Sequence, residues 1–143
     1  MAILQNVPIF VLQMREKGRS GRILVVEDEF LIGEDVCNTL RSHGYEVIGV
    51  ASSAIQAVRM AIESDPDLIL MDVRINGNVD GIEAHRLVED AMGRPVPVIF
   101  LTASKETKDS TFFLSKILRK PYMERELLGS IEHFLPLMKD RPV

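Results

Sequence analysis

From Arg22 onward the chain alternates short apolar runs with longer stretches in which apolar residues recur at helical spacing. That is the pattern of successive βα units around a parallel sheet. "ILVV" (Ile23 to Val26), "VIGVA" (Val47 to Ala51), "LILM" (Leu68 to Met71) and "VIFL" (Val98 to Leu101) are apolar without alternation, as expected of strands covered on both faces. "SKIL", Ser115 to Leu118, is a less apolar fifth strand. Helices are predicted over Phe30 to Ser42, with Gly44 as its C-cap, and over Ala54 to Glu63, with Ser53 as its N-cap. A third spans Gly81 to Met92, with Ile82, Leu87, Val88 and Ala91 as its buried stripe. A fourth spans Met123 to Leu137, with Leu127, Leu128, Ile131, Phe134 and Leu135 turned inward. These elements predict an α/β fold, a doubly wound five-stranded parallel sheet, whose ligands lie outside the carboxyl ends of the strands where the strand order reverses.

That rule directs attention to the residues just past each strand. Glu27 and Asp28 come after the first, Asp72 after the third, Thr102 after the fourth and Lys120 after the fifth. Three carboxylates, a hydroxyl and an ammonium are thereby brought to one edge of the sheet. The acids are the informative part, because neighbouring carboxylates at the mouth of an apolar sheet repel one another unless a cation uses them. Such a hard, oxygen-rich set suits Mg²⁺, which keeps several waters and a phosphoryl oxygen among its ligands. A carboxylate held there can attack phosphorus and form an acyl phosphate. Metal, ammonium and hydroxyl then neutralise the transferring oxygens.

Composition narrows the function classes. At 143 residues the chain is most simply one domain. Seventeen Lys and Arg against 21 Asp and Glu give a formal charge of −4, a field that repels polyanions, so nucleic acid is not expected as a partner. No stretch approaches the ~20 apolar residues of a membrane span, so no membrane partner is expected either. The lone Cys37 rules out an intrachain disulfide and fits a reducing, cytoplasmic setting. The segment "MAILQNVPIFVLQM" is apolar but lacks a basic leader and a small-residue cleavage site, and Gln5, Asn6, Pro8 and Gln13 interrupt it. With "REKGRSGR" it is read as an N-terminal extension and linker, residues 1–21, either poorly ordered or an arm for a partner or a second copy, which makes a homodimer an option to test.

The residues "VVED", "LMD", "LTA" and "KP", in this order, resemble the receiver domain of two-component response regulators. The resemblance covers about Arg22 to Leu137 and assigns residues 22–143 to a receiver domain of flavodoxin-like fold. It implies Asp72 as phosphoacceptor and Asp28 as a direct Mg²⁺ ligand. Glu27 would act mainly through metal-bound water, and the backbone carbonyl of Arg74 would be a further ligand. Thr102 would turn toward the phosphoryl group, Lys120 would pair with its oxygen, Ala103 would leave the site open, and the Lys120–Pro121 bond would be cis. Glu29 is read instead as a first-turn acid favourable to the helix dipole. The implied donor is a histidine kinase or histidine phosphotransfer protein, docking on Phe30, Leu31 and Glu34, and the target is a downstream protein whose contacts change. The chain would not be an enzyme beyond catalysing its own phosphorylation and dephosphorylation.

Two departures from the family pattern stand out. The loop after Asp72, "VRINGNV", lacks the usual proline and is one residue longer, with Gly77 expected to make the turn beside Asn76 or Asn78. Between Thr102 and Lys120, "ASKETKDSTFFLSKILR" is about one helical turn short, and Ile117 stands where the family carries an aromatic switch residue. The helix after the fourth strand is therefore expected to be shortened or irregular, with Phe112 and Phe113 either replacing that aromatic or packing in the core. Two alternatives remain open at this stage. One is a receiver-like interaction module without regulated phosphorylation. The other is a phosphatase of the haloacid dehalogenase type, which wants a second acid two residues after its nucleophile, where this chain has Arg74.

Overall fold

The computed structural model describes residues 21–75, 80–103 and 114–135. The expectations for Gly77 and its neighbours, for the helix between Thr102 and Lys120 with Phe112 and Phe113, and for the N-terminal arm lie outside the described residues.

Five strands form one parallel sheet: β1 (Arg22–Val26), β2 (Glu46–Ala51), β3 (Leu68–Asp72), β4 (Val98–Thr102) and β5 (Ser115–Arg119). Their order is β2-β1-β3-β4-β5. The order reverses between β1 and β3, which opens a crevice at their carboxyl ends. The described helices are α1 (Phe30–Ser42), α2 (Ala54–Ser64), α3 (Gly81–Met92) and α4 (Glu124–Phe134).

The sheet's two faces carry separate cores, because successive strand residues point to opposite sides. Ile23, Val25, Leu68, Leu70 and Ile99 meet Cys37 and Leu40 of α1 and Leu127, Ile131 and Phe134 of α4. Leu24, Val26, Ile69, Met71, Val98 and Phe100 meet Ala54, Ala57 and Ala61 of α2 and Ala84 and Val88 of α3. The small residues on the second face let α2 and α3 lie close to the sheet. Each fully buried Leu, Ile or Phe contributes roughly 1.5–3 kcal/mol of apolar transfer.

The sequence placed the strands and helices within a residue or two, except that α4 ends at Phe134 rather than Leu137 and α1 is capped by His43 rather than Gly44; three further corrections follow. β2 is an edge strand and only its last residue, Ala51, is fully buried, so it is not covered on both faces as its apolar run suggested. Its register slips between Ile23 and Leu24 of β1, leaving Ile48 unpaired in a bulge next to Gly49, whose φ of +151° suits glycine. The buried stripe of α3 is Gly81, Ala84, His85 and Val88, while Leu87 is 39% exposed and Ala91 is exposed. Large apolar residues misled the stripe because this helix packs through small ones. Finally, Glu29 is the N-cap of α1 and not a first-turn acid, and its side chain makes no capping hydrogen bond. Ser53 caps α2 as expected, accepting from the Gln56 amide.

Candidate functional site

Each site residue is delivered by the end of a strand. The Glu27 amide donates to the Ala51 carbonyl at 2.9 Å, which carries the sheet one residue past β1 and leaves the Glu27 side chain buried and Asp28 half-buried beside it. β3 ends on Asp72 and β4 on Thr102, both buried. Past β5 the Lys120 amide donates to the Thr102 carbonyl at 2.7 Å, so Lys120 stays alongside β4, and its bond to Pro121 is cis.

The side chains converge. Glu27, Asp28 and Asp72 each offer a carboxylate oxygen within 4.8 Å of the others. Lys120 Nζ donates to Asp72 Oδ2 at 3.1 Å, and the Arg74 amide donates to Asp72 Oδ1 at 2.9 Å. Asp28, Glu29, Asp72, Arg74, Thr102, Ala103 and Lys120 line one open cleft of about 390 Å³. The structure thus brings together every side chain that the strand-end argument singled out. For Arg74 the contact it establishes is through the amide.

The electrostatics are those of crowded acids. Burial, together with hydrogen bonding to Asp72 and its negative charge, pushes the Glu27 carboxyl up to about 8. Asp72 is held below its ordinary value: burial opposes ionisation, but hydrogen bonds with Glu27, the Arg74 amide and Lys120 outweigh it. Lys120 is held above its ordinary value, since Asp72 and then Glu27 more than offset the cost of burying the ammonium. Without a metal, Glu27 and Asp72 therefore share a proton. Glu27 Oε2 is buried with no hydrogen-bond partner, a costly arrangement for a carboxylate. A buried acceptor oxygen of that kind, beside two further carboxylates, fits a hard divalent cation such as Mg²⁺.

One positioning residue escaped the sequence reading. Gly81, the first residue of α3, donates its amide to the Val73 carbonyl at 2.7 Å. A Cβ there would overlap the Asp72 carbonyl oxygen and stand 2.9 Å from Val73 Cα. Only glycine lets α3 start this close behind Asp72. The signal was present in "DG", where Asp80 caps α3 by accepting from the Glu83 amide at 2.9 Å.

Comparison with known proteins agrees with this geometry. Residues 23–132 match the family described as the response regulator receiver domain. The transcriptional regulatory protein PdtaR of Mycobacterium tuberculosis is 43% identical over 117 residues, 78% of this chain and 55% of that protein. The DNA-binding response regulator MtrA of Mycolicibacterium smegmatis is 35% identical over 127 residues, 85% of this chain and 53% of that protein. The chain thus spans about half the length of these curated relatives. Among solved structures, the receiver domain of the sensor histidine kinase PA1611 from Pseudomonas aeruginosa, with a magnesium ion coordinated in its active-site cleft, superimposes with a TM-score of 0.70 at 33% identity. That match covers 82% of this chain and 98% of the other. The PhyR receiver domain of Erythrobacter litoralis gives 0.68 at 29% identity, over 89% and 98% of the two chains.

Proposed function

Because the chain belongs to the response regulator receiver domain family, we propose that it is the phosphoacceptor module of a two-component phosphorelay, with Asp72 as the acceptor. The observation that carries this reading is the 3.1 Å pair of Lys120 with Asp72, set against a cluster of three carboxylates. An Asp72 oxygen attacks the phosphorus of a phosphohistidine. The new P–O bond forms as the P–N bond breaks, and its electron pair stays on the departing imidazole. Lys120, already seated on Asp72 Oδ2, neutralises a phosphoryl oxygen as the acceptor loses its own charge. Thr102, buried in the same cleft, offers its hydroxyl to another. Glu27, Asp28 and Asp72, with the Arg74 carbonyl, would hold Mg²⁺, which when bound would supply neutralising charge for the remaining oxygens. The raised Glu27 carboxyl would have to give up its proton to bind the cation, so the proton and the metal compete for this site.

The donor is a histidine kinase or a histidine phosphotransfer protein. Phe30 and Leu31, 66% and 80% exposed at the start of α1 beside Asp28 and Glu29, offer it an apolar footing, with Glu34 at its border. The output is a change in contacts with a downstream protein. Catalysis is confined to the chain's own phosphorylation and dephosphorylation. Residues 22–143 form the receiver unit and 1–21 an extension to it, working in the cytoplasm; no helix among the described residues is long and apolar enough to cross a membrane. The haloacid dehalogenase alternative is set aside, since Arg74 lines the cleft where that chemistry requires an acid.

Intact mass after incubation with Mg²⁺ and a small phosphodonor tests the assignment. A one-phosphate gain is expected in the wild type and is abolished by Asp72→Asn. No gain, or a gain that persists in Asp72→Asn, overturns it.

A further inference from the structure

α2 and α3 lie side by side over one face of the sheet, and both hold large apolar side chains in solvent. Ile55 and Ile62 on α2 are 74% and 59% exposed, and Leu87 on α3 is 39% exposed. Helical phase puts all three along the seam between the two helices. α2 buries Ala54, Ala57 and Ala61, and its Met60 methyl lies over Gly49 of the edge strand β2. The opposite flank of α2, with Ile55, Val58 and Ile62, therefore turns toward α3. On α3 the Glu89 carboxylate accepts from the Val96 amide at 2.8 Å, which turns that flank toward the entry to β4. Leu87 and Ala91, on the other flank, turn toward α2. One exposed isoleucine needs no explanation, but three large apolar side chains along one seam form a patch of the kind that meets a partner.

The charges beside the seam narrow the occupant. Arg59 stands on α2 midway between Ile55 and Ile62, and Glu63 lies a turn beyond it, past the second isoleucine. On α3 Glu83 and Arg86 pair with each other at 3.3 Å, which leaves Asp90. Arg59 and Asp90 are both exposed, and among the described residues neither has an ion-pair partner. A second copy fits this poorly. Pairing α2 antiparallel with itself sets Arg59 against Arg59, and a stable dimer needs about 800 Å² on each partner, more than three side chains along one seam supply. A single helix needs less. Ile55 and Ile62 are two turns apart, about 10.5 Å along the axis, the spacing of i and i+7 anchors on a helix laid in a groove. We propose that the seam between α2 and α3 docks an amphipathic helix of a partner protein, with two large apolar side chains two turns apart, an acid on the flank facing Arg59 and a base on the flank facing Asp90. The opposite charges of the two walls then set the direction in which that helix lies. No residue of the cleft takes part, so the site is independent of Asp72 being the acceptor.

Methyl NMR on the full chain, without Mg²⁺ or phosphodonor, tests this with two alanine-based helical peptides. Both carry Leu at i and i+7 and Lys at i+3; the first has Glu at i+4 and the second has Lys there. The first should shift the methyls of Ile55, Ile62 and Leu87 and bind at least about fivefold tighter than the second at low salt, a preference that falls as salt is raised. Arg59→Glu should invert the preference. Ile62→Asp, at an exposed position, should weaken the first peptide about tenfold or more while leaving thermal stability and Mg²⁺ affinity unchanged. No methyl shifts at millimolar peptide, shifts centred on Phe30 and Leu31, or a preference that Arg59→Glu does not invert would overturn the proposal. Shifts of Ile55 and Ile62 that grow with protein concentration in the absence of peptide would also overturn it, by making a second copy the occupant. Should Ile62→Asp lose stability, the inversion by Arg59→Glu decides alone.

Discussion

The two edges of the sheet are built from the same kinds of residue and treat them in opposite ways. At the amino edge the charged side chains are partnered within the fold. Asp67 Oδ2 accepts from the Arg22 amide at 2.9 Å, while its own amide returns a bond to the Arg22 carbonyl at 2.8 Å. The Arg22 guanidinium reaches the Ser64 carbonyl and lies 3.4 Å from Glu46. Arg94 bridges Asp65 at 2.6 Å and the Pro66 carbonyl at 2.7 Å. At the carboxyl edge three acids crowd one lysine, and a buried oxygen of Glu27 is left without a hydrogen bond. The amino edge uses polarity to fix the chain. The carboxyl edge keeps an electrostatic debt that a cation and a phosphoryl group can discharge.

The largest effect of breaking this contrast is expected where the two roles meet. Gly81→Val forces a side chain into the Asp72 carbonyl, so α3 must move away or the end of β3 must deform. A loss of about 3 kcal/mol in stability is expected, together with weaker Mg²⁺ binding, because the strain falls on the residue that carries the acceptor carboxylate. Urea denaturation and Mg²⁺ titration measure the two effects separately; a variant that keeps both would show that α3 can be reseated at little cost.

At the amino edge, Asp67→Ala should cost about 1–3 kcal/mol by leaving the Arg22 amide without its acceptor. It should leave Mg²⁺ affinity within about twofold of wild type, since its bonds to Arg22 lie at the opposite edge of the sheet from the cleft. A large change in Mg²⁺ affinity would mean that the edges are coupled through β1 and β3.

How far the sequence foretold each edge comes down to the same difference. Glu27, Asp28, Asp72, Thr102 and Lys120 were legible because each lies at or just past the end of an apolar run, and the doubly wound rule places such positions together. The amino edge was invisible to that reasoning. Asp67 looks like a turn residue in "SDPD", and only the register of β1 with β3 sets it against Arg22. His85 was hidden too. It is buried on α3 and donates from Nε2 to the Val96 carbonyl at 2.7 Å, with its ring edge-on to Phe100. Val96 and Phe100 lie outside its helix, so the periodicity of α3 announces neither; Glu89, one turn on with Oε2 3.6 Å from Nε2, shares the helix. Gly81 belongs with these cases, since its importance lies in an approach distance between elements.

A pH series sharpens the comparison without a change of contacts. Glu27 is raised from an ordinary 4.5 to about 8 by burial and by Asp72. Its contribution to the metal-free fold is fully present below pH 4.5, where the carboxyl is neutral in both states, and is lost as pH rises through about 8, because the unfolded chain gives up that proton far more readily. Asp72, shifted downward, has the opposite sign and matters only at acidic pH. Thermal stability measured in a chelator should therefore fall between about pH 5 and 8 in the wild type, and Glu27→Gln should flatten that fall. Mg²⁺ affinity should climb over the same range as the competing proton leaves. A stability curve that Glu27→Gln does not alter would place the shared proton elsewhere.

The smallest effect separates two contributions at one amino-edge residue. Asp65 ends α2 in the left-handed region, at φ +52°, and also carries the ion pair with Arg94. Both side chains are partly exposed, so the pair is worth at most about 1 kcal/mol. Asp65→Gly gives up the pair but relieves the backbone, and the two should cancel to within about 1 kcal/mol. Asp65→Ala gives up the pair and keeps a Cβ where the backbone disfavours one, so it should be the less stable of the two by roughly 1 kcal/mol. Parallel denaturation curves decide it: if Ala and Gly are equally stable, the turn has moved out of the left-handed conformation, and the amino edge holds its shape through Arg22 and Asp67 alone.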